Sequence, residues 1–190
     1  MSAPVWVFLR HGECVGNVER LLVAPDDSPL TARGRAQAQD VAARVAAMGV
    51  SRVLVSPTLR TRQTADAIRA VCPGIQYAVL EDLRERSFGR LDGWTVDAVK
   101  QSEWAPMRAA WRMAVPGGET LAAVAARAVR TLEVRGVAAV TVVVTHAGVI
   151  RTLVGLLDGT PTSEIGRLRV PHAEPWVRAV TPGAWARITR

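Results

Sequence analysis

The chain has 190 residues, 49% of them apolar and 22% charged, the size and balance of a globular protein with one hydrophobic core, so a single domain over residues 1–190 is expected. No apolar run approaches the ~20 residues that span a bilayer, and Arg10 and His11 arrive too early for a signal peptide, which predicts a cytoplasmic protein with no membrane partner. The formal charge of +7 favours anionic partners, yet Lys100 is the only lysine among 24 basic residues and the arginines are scattered through every segment, so the clustered surface of a nucleic-acid binder is missing.

In chain order, residues 5–9 form a short β-branched apolar run without alternation, the pattern of a strand buried on both faces. Residues 31–48 place Ala38, Val41, Val45 and Met48 at helical spacing, with Thr31 as cap and Gly49 as stop. Residues 53–55 repeat the buried-strand pattern, and 57–71 read as a helix capped by Ser56 with Pro57 at its first position. Residues 94–116 carry Trp94, Trp104, Trp111 and a central Pro106; they predict a helical excursion over one end of the sheet, with Trp104 and Trp111 on one helix face as packing residues or, less simply, as a lid. A third helix is expected over 118–134, a third buried strand over 140–144, a short helix over 149–157, and edge strands at 177–180 and 185–188. Strands alternating with helices imply an α/β three-layer sandwich around a mostly parallel sheet.

Cys14 and Cys72 form no C-x-x-C pair and read as free thiols, and three dispersed histidines offer no zinc cluster, so no metal is expected.

Three of the predicted buried strands end in polar residues. The first ends in Arg10-His11-Gly12-Glu13, the second in Ser56-Pro57 with Arg60 close behind, and the 140–144 run in Thr145-His146-Ala147-Gly148. Ligands of open α/β sheets bind beyond the carboxyl ends of the strands, so two imidazoles and two guanidiniums can converge there, with helix N-termini after Ser56 and His146 adding N–H donors suited to phosphate. A lone histidine or arginine at such a place is usually structural. Two guanidiniums not neutralised by an adjacent acidic residue are instead suited to paired hydrogen bonds with a phosphoryl group.

Further motifs lie between these in a fixed order: Asn17; Leu30-Thr31-x-x-Gly34-x-x-Gln37-Ala38; Gln63-Thr64-Ala65 after Arg60; Leu83-x-Glu85-x-x-x-Gly89-x-x-x-Gly93; and Pro116-Gly117-Gly118-Glu119-Thr120. Together the six motifs, over roughly residues 4–155, resemble the histidine phosphatase superfamily in its phosphoglycerate mutase-like branch. The resemblance implies a phosphoglycerate mutase-like sandwich and a two-step double displacement at phosphorus. It implies His11 as the transiently phosphorylated nucleophile, Arg10, Arg60 and His146 as the phosphate pocket, and Glu85 as proton donor to the leaving alcohol. Asn17 and the backbone N–H of Ala147 fall where further phosphate contacts are made, and Glu13 where the loop is supported. No cofactor is implied.

The chemistry agrees with these roles. His11 must be unprotonated to attack, while Arg10, Arg60 and a protonated His146 would meet the charge on the transferring group. A carboxylic acid beside the ester oxygen serves an alcohol that leaves poorly; the plainer role for Glu85 is an ion pair with Arg84 or Arg86.

Cys14, three residues past His11, stands where relatives carry a polar residue, either as an inert side chain or as an oxidisable thiol. The loop 21–27 lacks the Gly-Trp-type sequence of glycolytic mutases, and the segment before Gly117 is shorter than theirs. Both favour a phosphatase acting on small-molecule phosphate monoesters. The alternatives are a cofactor-dependent phosphoglycerate mutase and an idle phospho-ligand binding protein, the latter disfavoured because His11, Glu85 and His146 are all retained. Residues 21–27 and 94–116 are expected to select the substrate. His172 receives no role.

Overall fold

The computed structural model describes residues 4–135, 139–181 and 183–185. Among them, β1 (Val5–Arg10), β2 (Arg52–Val55), β3 (Gln76–Val79), β4 (Val140–Thr145) and β5 (Pro175–Ala179) form one sheet in the order β3-β2-β4-β1-β5. All neighbours pair in parallel except β5, which closes the β1 edge antiparallel.

The unalternating strand sequences follow from burial on both faces. Trp6, Phe8, Leu54 and Val143 pack with Val124, Val149 and Ile150 of helices α5 (Leu121–Val134) and α6 (Ala147–Leu157). Val7, Leu9, Val53, Val55, Val142 and Val144 point the other way, onto Val41, Val45, Ala65 and Ile68 of helices α2 (Ala32–Ala46) and α3 (Leu59–Val71). Two apolar cores flank the sheet, giving the three layers expected. Each such side chain contributes about 1.5–3 kcal/mol on burial.

Several local expectations are corrected. Helix α3 starts at Leu59 behind an extended Thr58, so Ser56 is not its cap and Pro57 is not its first residue; the Ser56 hydroxyl is engaged elsewhere, as described below. Helix α5 begins at Leu121, where Thr120 Oγ1 accepts from Ala123 N, because Gly117 turns the chain at φ +78. Helix α6 begins two residues earlier than expected, at Ala147. Strand β3 was not anticipated: its Gln-Tyr-Ala-Val sequence lies at the sheet edge, with both ends exposed. Trp185 stands in a helical turn rather than a strand, and 186–188 lie outside the described residues.

The tryptophan segment forms helix α4 (Val96–Lys100) and a 3-10 turn at Ala105–Arg108. Pro106 falls in that turn, and no helix spans Trp104 and Trp111, so the two rings do not share a helix face. Trp104 packs on a small separate core of Leu91, Val99 and Val115. Helices α1 (Val15–Val18) and α7 (Thr162–Ile165) are single turns. Among the described residues no helix is long and apolar enough to cross a membrane.

Candidate active site

Strands β2, β4 and β1 run side by side, with Val55 opposite Val144 and Arg10 opposite Thr145. Their carboxyl ends therefore lie at one level, where Ser56 N donates to Val144 O and His11 N to Thr145 O. This register brings remote residues together. The rings of His11 and His146 have centroids 5.3 Å apart, and the two residues are only 3% and 1% exposed.

Backbone carbonyls, not carboxylates, orient the arginines. Arg10 Nη1 donates to Val170 O and Arg60 Nη1 to Pro25 O, each at 2.7 Å, and among the described residues neither makes an ion pair. Burial lowers the Arg10 guanidinium to about 10, against the opposing pull of Glu85, and burial lowers Arg60 too. Arg10 stays charged at neutral pH, and two guanidiniums beside two imidazoles make a strongly positive hollow.

His11 Nδ1 lies 2.7 Å from Gly12 O. A carbonyl only accepts, so Nδ1 carries the proton and Nε2 keeps the lone pair. Burial, then His146, Arg10 and Arg60, push the His11 imidazole well below its ordinary value, which keeps it neutral. His146 Nε2 sits 2.8 Å from Ser56 Oγ. The protonated His146 expected from sequence is corrected: burial and the charges of Arg60 and Arg10 push it, too, well below its ordinary value.

Glu85 follows a 3-10 turn at Glu81–Leu83. Its Oε1 and Oε2 accept from Gly148 N at 3.0 and 3.1 Å, and Oε1 also accepts from Arg86 N. The ion pairs with its neighbours do not form. Arg84 pairs with Asp26 and Glu81, while the Arg86 guanidinium donates to the carbonyls of Glu119, Arg108, Met107 and Met113. A Cβ at position 148 would overlap Glu85 Oε1, so the glycine lets the carboxyl group sit against the start of α6.

A cavity of about 350 Å³ opens at this end of the sheet, with Arg10, Asn17, Glu85 and Ala147 on its wall. His11, Arg60 and His146 are nearly fully buried and do not line that cavity themselves. Asn17 Oδ1 accepts from Cys14 N and Sγ. Ala147, first in α6, has an N–H without an intrahelical acceptor. The two segments expected to select substrate contribute Leu21, Leu22, Val96 and Arg108.

Glu13 Oε1 accepts from Thr31 Oγ1 and so ties the histidine loop to α2. Cys14 and Cys72 are free thiols. Cys14 is 0% exposed and packs on Ala24, Leu30 and Ala38, a setting for an inert side chain, not an oxidisable one.

His172, Arg151 and Arg108 stand on this wall without an individual role in the sequence reading. His172 has its ring centroid 5.4 Å from that of His11 and its Nδ1 3.1 Å from His11 O. Burial lowers it to about 4, with Arg10 acting in the same direction. The next residue, Ala173, holds φ +51, a left-handed conformation that costs a non-glycine residue energy. Arg151 and Arg108 complete the set. The only sequence signal for His172 was its rarity, as one of three histidines.

The model of the histidine phosphatase superfamily (branch 1) matches residues 6–187. A mycobacterial glucosyl-3-phosphoglycerate phosphatase solved with VO3 is 26% identical, with a TM-score of 0.83 over 92% of this chain and 90% of that one. The alpha-ribazole phosphatase from Shigella flexneri is 25% identical, with a TM-score of 0.76 over 91% and 89%. A probable phosphoglycerate mutase GpmB of Escherichia fergusonii is 38% identical over 95 residues, covering 50% of this chain and 44% of that relative's own length.

Proposed function

Because this chain belongs to the histidine phosphatase superfamily (branch 1), we propose that it is a phosphatase that hydrolyses small-molecule phosphate monoesters through a phosphohistidine on His11. The observation that carries this reading is the bond between His11 Nδ1 and Gly12 O, which leaves a neutral imidazole with its Nε2 lone pair free. In the first step Nε2 attacks phosphorus; the P–N bond forms, the ester P–O bond breaks, and Glu85 gives its proton to the departing alkoxide. In the second step water attacks the phosphohistidine, Glu85 takes the water's proton, and the P–N electrons return to Nε2.

The protein supplies the counter-charge. Arg10, Arg60, the neutral His146, Asn17 and the free N–H of Ala147 are the groups assigned to the equatorial oxygens, and each such donor is worth roughly 10²–10³ in rate in comparable sites. The acid contributes about 10²–10⁴. Gly148 N fixes the position of the Glu85 carboxyl group from the start of α6.

Release of p-nitrophenol from its phosphate ester, abolished in His11→Ala, tests the reading directly. A broad panel of phosphoesters left intact by the wild type would instead indicate a binding protein. The match to a probable phosphoglycerate mutase favours a second reading. Bisphosphoglycerate-stimulated interconversion of phosphoglycerates, faster than phosphate release, would establish it.

A further inference from the structure

The cavity wall carries five arginines, Arg10, Arg20, Arg86, Arg108 and Arg151, against one carboxylate, Glu85. Two of the five are already satisfied. Arg20 is paired with Asp97 through two bonds of 2.8 and 2.9 Å, and Arg86 is locked onto four backbone carbonyls. Arg10 belongs to the phosphoryl pocket. Arg108 and Arg151 are left over.

These two are held close together by the fold. Arg151 Nε donates to Ala147 O and Nη1 to Gly166 O, which spends two corners of the guanidinium and leaves Nη2 with no acceptor among the described residues. Gly166 in turn lies against Ala109, so closely that a Cβ on it would overlap Ala109 O. That contact brings the preceding residue, Arg108, to the same wall. Arg108 Nε is buried with no hydrogen-bond partner, and its guanidinium makes no ion pair among the described residues. Burial lowers Arg151, Glu85 opposes this, and the Arg108 charge adds to it, as expected of like charges in mutual reach. Two unpaired guanidiniums converging on one hollow are unfavourable unless an anion joins them.

Resting on the phosphatase reading, we infer that Arg108 and Arg151 form a second anion subsite, so that the substrate is a small phosphate monoester bearing another anionic group, a carboxylate or a second phosphate. The first anion is taken by Arg10, with the buried Arg60 behind it, and the second by Arg108 and Arg151 on the wall of the same cavity. A cavity of about 350 Å³ suits a small metabolite. Neutral alcohol phosphates then fill only half of the site.

Binding of non-hydrolysable phosphonates tests this without turnover. Calorimetry compares propylphosphonate with 3-phosphonopropionate and with propane-1,3-bisphosphonate, which separate a carboxylate from a second phosphate as the preferred group. The wild type is expected to bind at least one dianionic-ended ligand about tenfold or more tighter than propylphosphonate, the worth of a charge-assisted hydrogen bond pair. Arg108→Gln, which removes no hydrogen bond of the folded chain, should reduce that preference to within about twofold. Arg169→Gln is the comparator, because Arg169 lines a neighbouring hollow that shares Arg10, Arg151 and His172; it should leave the preference intact. Equal affinity for all three ligands in the wild type overturns the subsite, as does a preference that survives Arg108→Gln and disappears in Arg169→Gln. Absence of binding by any phosphonate overturns it as well. The phosphatase reading stands or falls separately, on p-nitrophenol release and its loss in His11→Ala.

Discussion

Ser56 Oγ and His146 Nε2, 90 residues apart in sequence, lie 2.8 Å apart and join the end of β2 to the end of β4. Both residues are buried, so the bond fixes the ring's orientation and leaves Nδ1 for the phosphoryl contact proposed for His146. Ser56→Ala is expected to lower kcat/KM about tenfold, the effect of stranding one buried polar partner. Steady-state phosphate release measures it; an unchanged kcat/KM would mean that the hydroxyl does not position His146.

Glu85 and Gly148 make a second such pair. A methyl group at 148 would displace the carboxyl group while its backbone N–H remained. Gly148→Ala should therefore reduce kcat by about a hundredfold or more, in keeping with loss of a general acid. Activated esters such as p-nitrophenyl phosphate, whose leaving group needs little protonation, should lose less than alkyl phosphates. An equal loss on both ester types would contradict the acid role.

Stability should fall on acidification. His11, His146 and His172 are all held below the ordinary histidine value of 6.5 by burial. The unfolded chain then binds more protons than the folded one below that value, so stabilisation present above 6.5 is lost as the pH falls, down to about 4 for His172. Each histidine that stays neutral costs at most about 1.4 kcal/mol per pH unit in this window. Thermal unfolding between neutral pH and pH about 5 should show a steadily falling Tm, shallower in His172→Asn. A flat or rising Tm on acidification would contradict this.

His172 is expected to act through the His11 carbonyl, as a positioning residue. Its side chain is presented by a strained Ala173, and its Nδ1 contact constrains the backbone of the proposed nucleophile. His172→Ala should lower kcat about tenfold with little change in KM, and His172→Asn, which restores an N–H donor, should recover most of it. Equal defects in the two variants would reduce His172 to packing.

How much of this was legible in the chain depended on how local the determinant was. Strands β1, β2 and β4 announce themselves because both faces are buried and the sequence has no polar face to show. Strand β3, at the edge, has no such signature. Thr31 was read correctly as a cap because the donor to its Oγ1, Gly34 N, is three residues away. Ser56 was misread because its partner, His146, is not local. The expected site residues His11, Arg60, Glu85 and His146 were singled out through ordered motifs. Arg151 is placed by α6, one turn after Ala147, whereas Arg108 and His172 sit at the cavity through the packing of Ala109 on Gly166 and the turn at Ala173, which no spacing rule encodes.

Double displacement at phosphorus requires a covalent phosphoryl group on one imidazole. Mixing the wild-type enzyme with a phosphate monoester, quenching in alkali within the first turnover and mapping the peptides by mass spectrometry should place the phosphoryl group on His11, with none in His11→Ala. A phosphoryl group on another residue, or full hydrolytic activity with no phosphorylated peptide at any quench time, would contradict it.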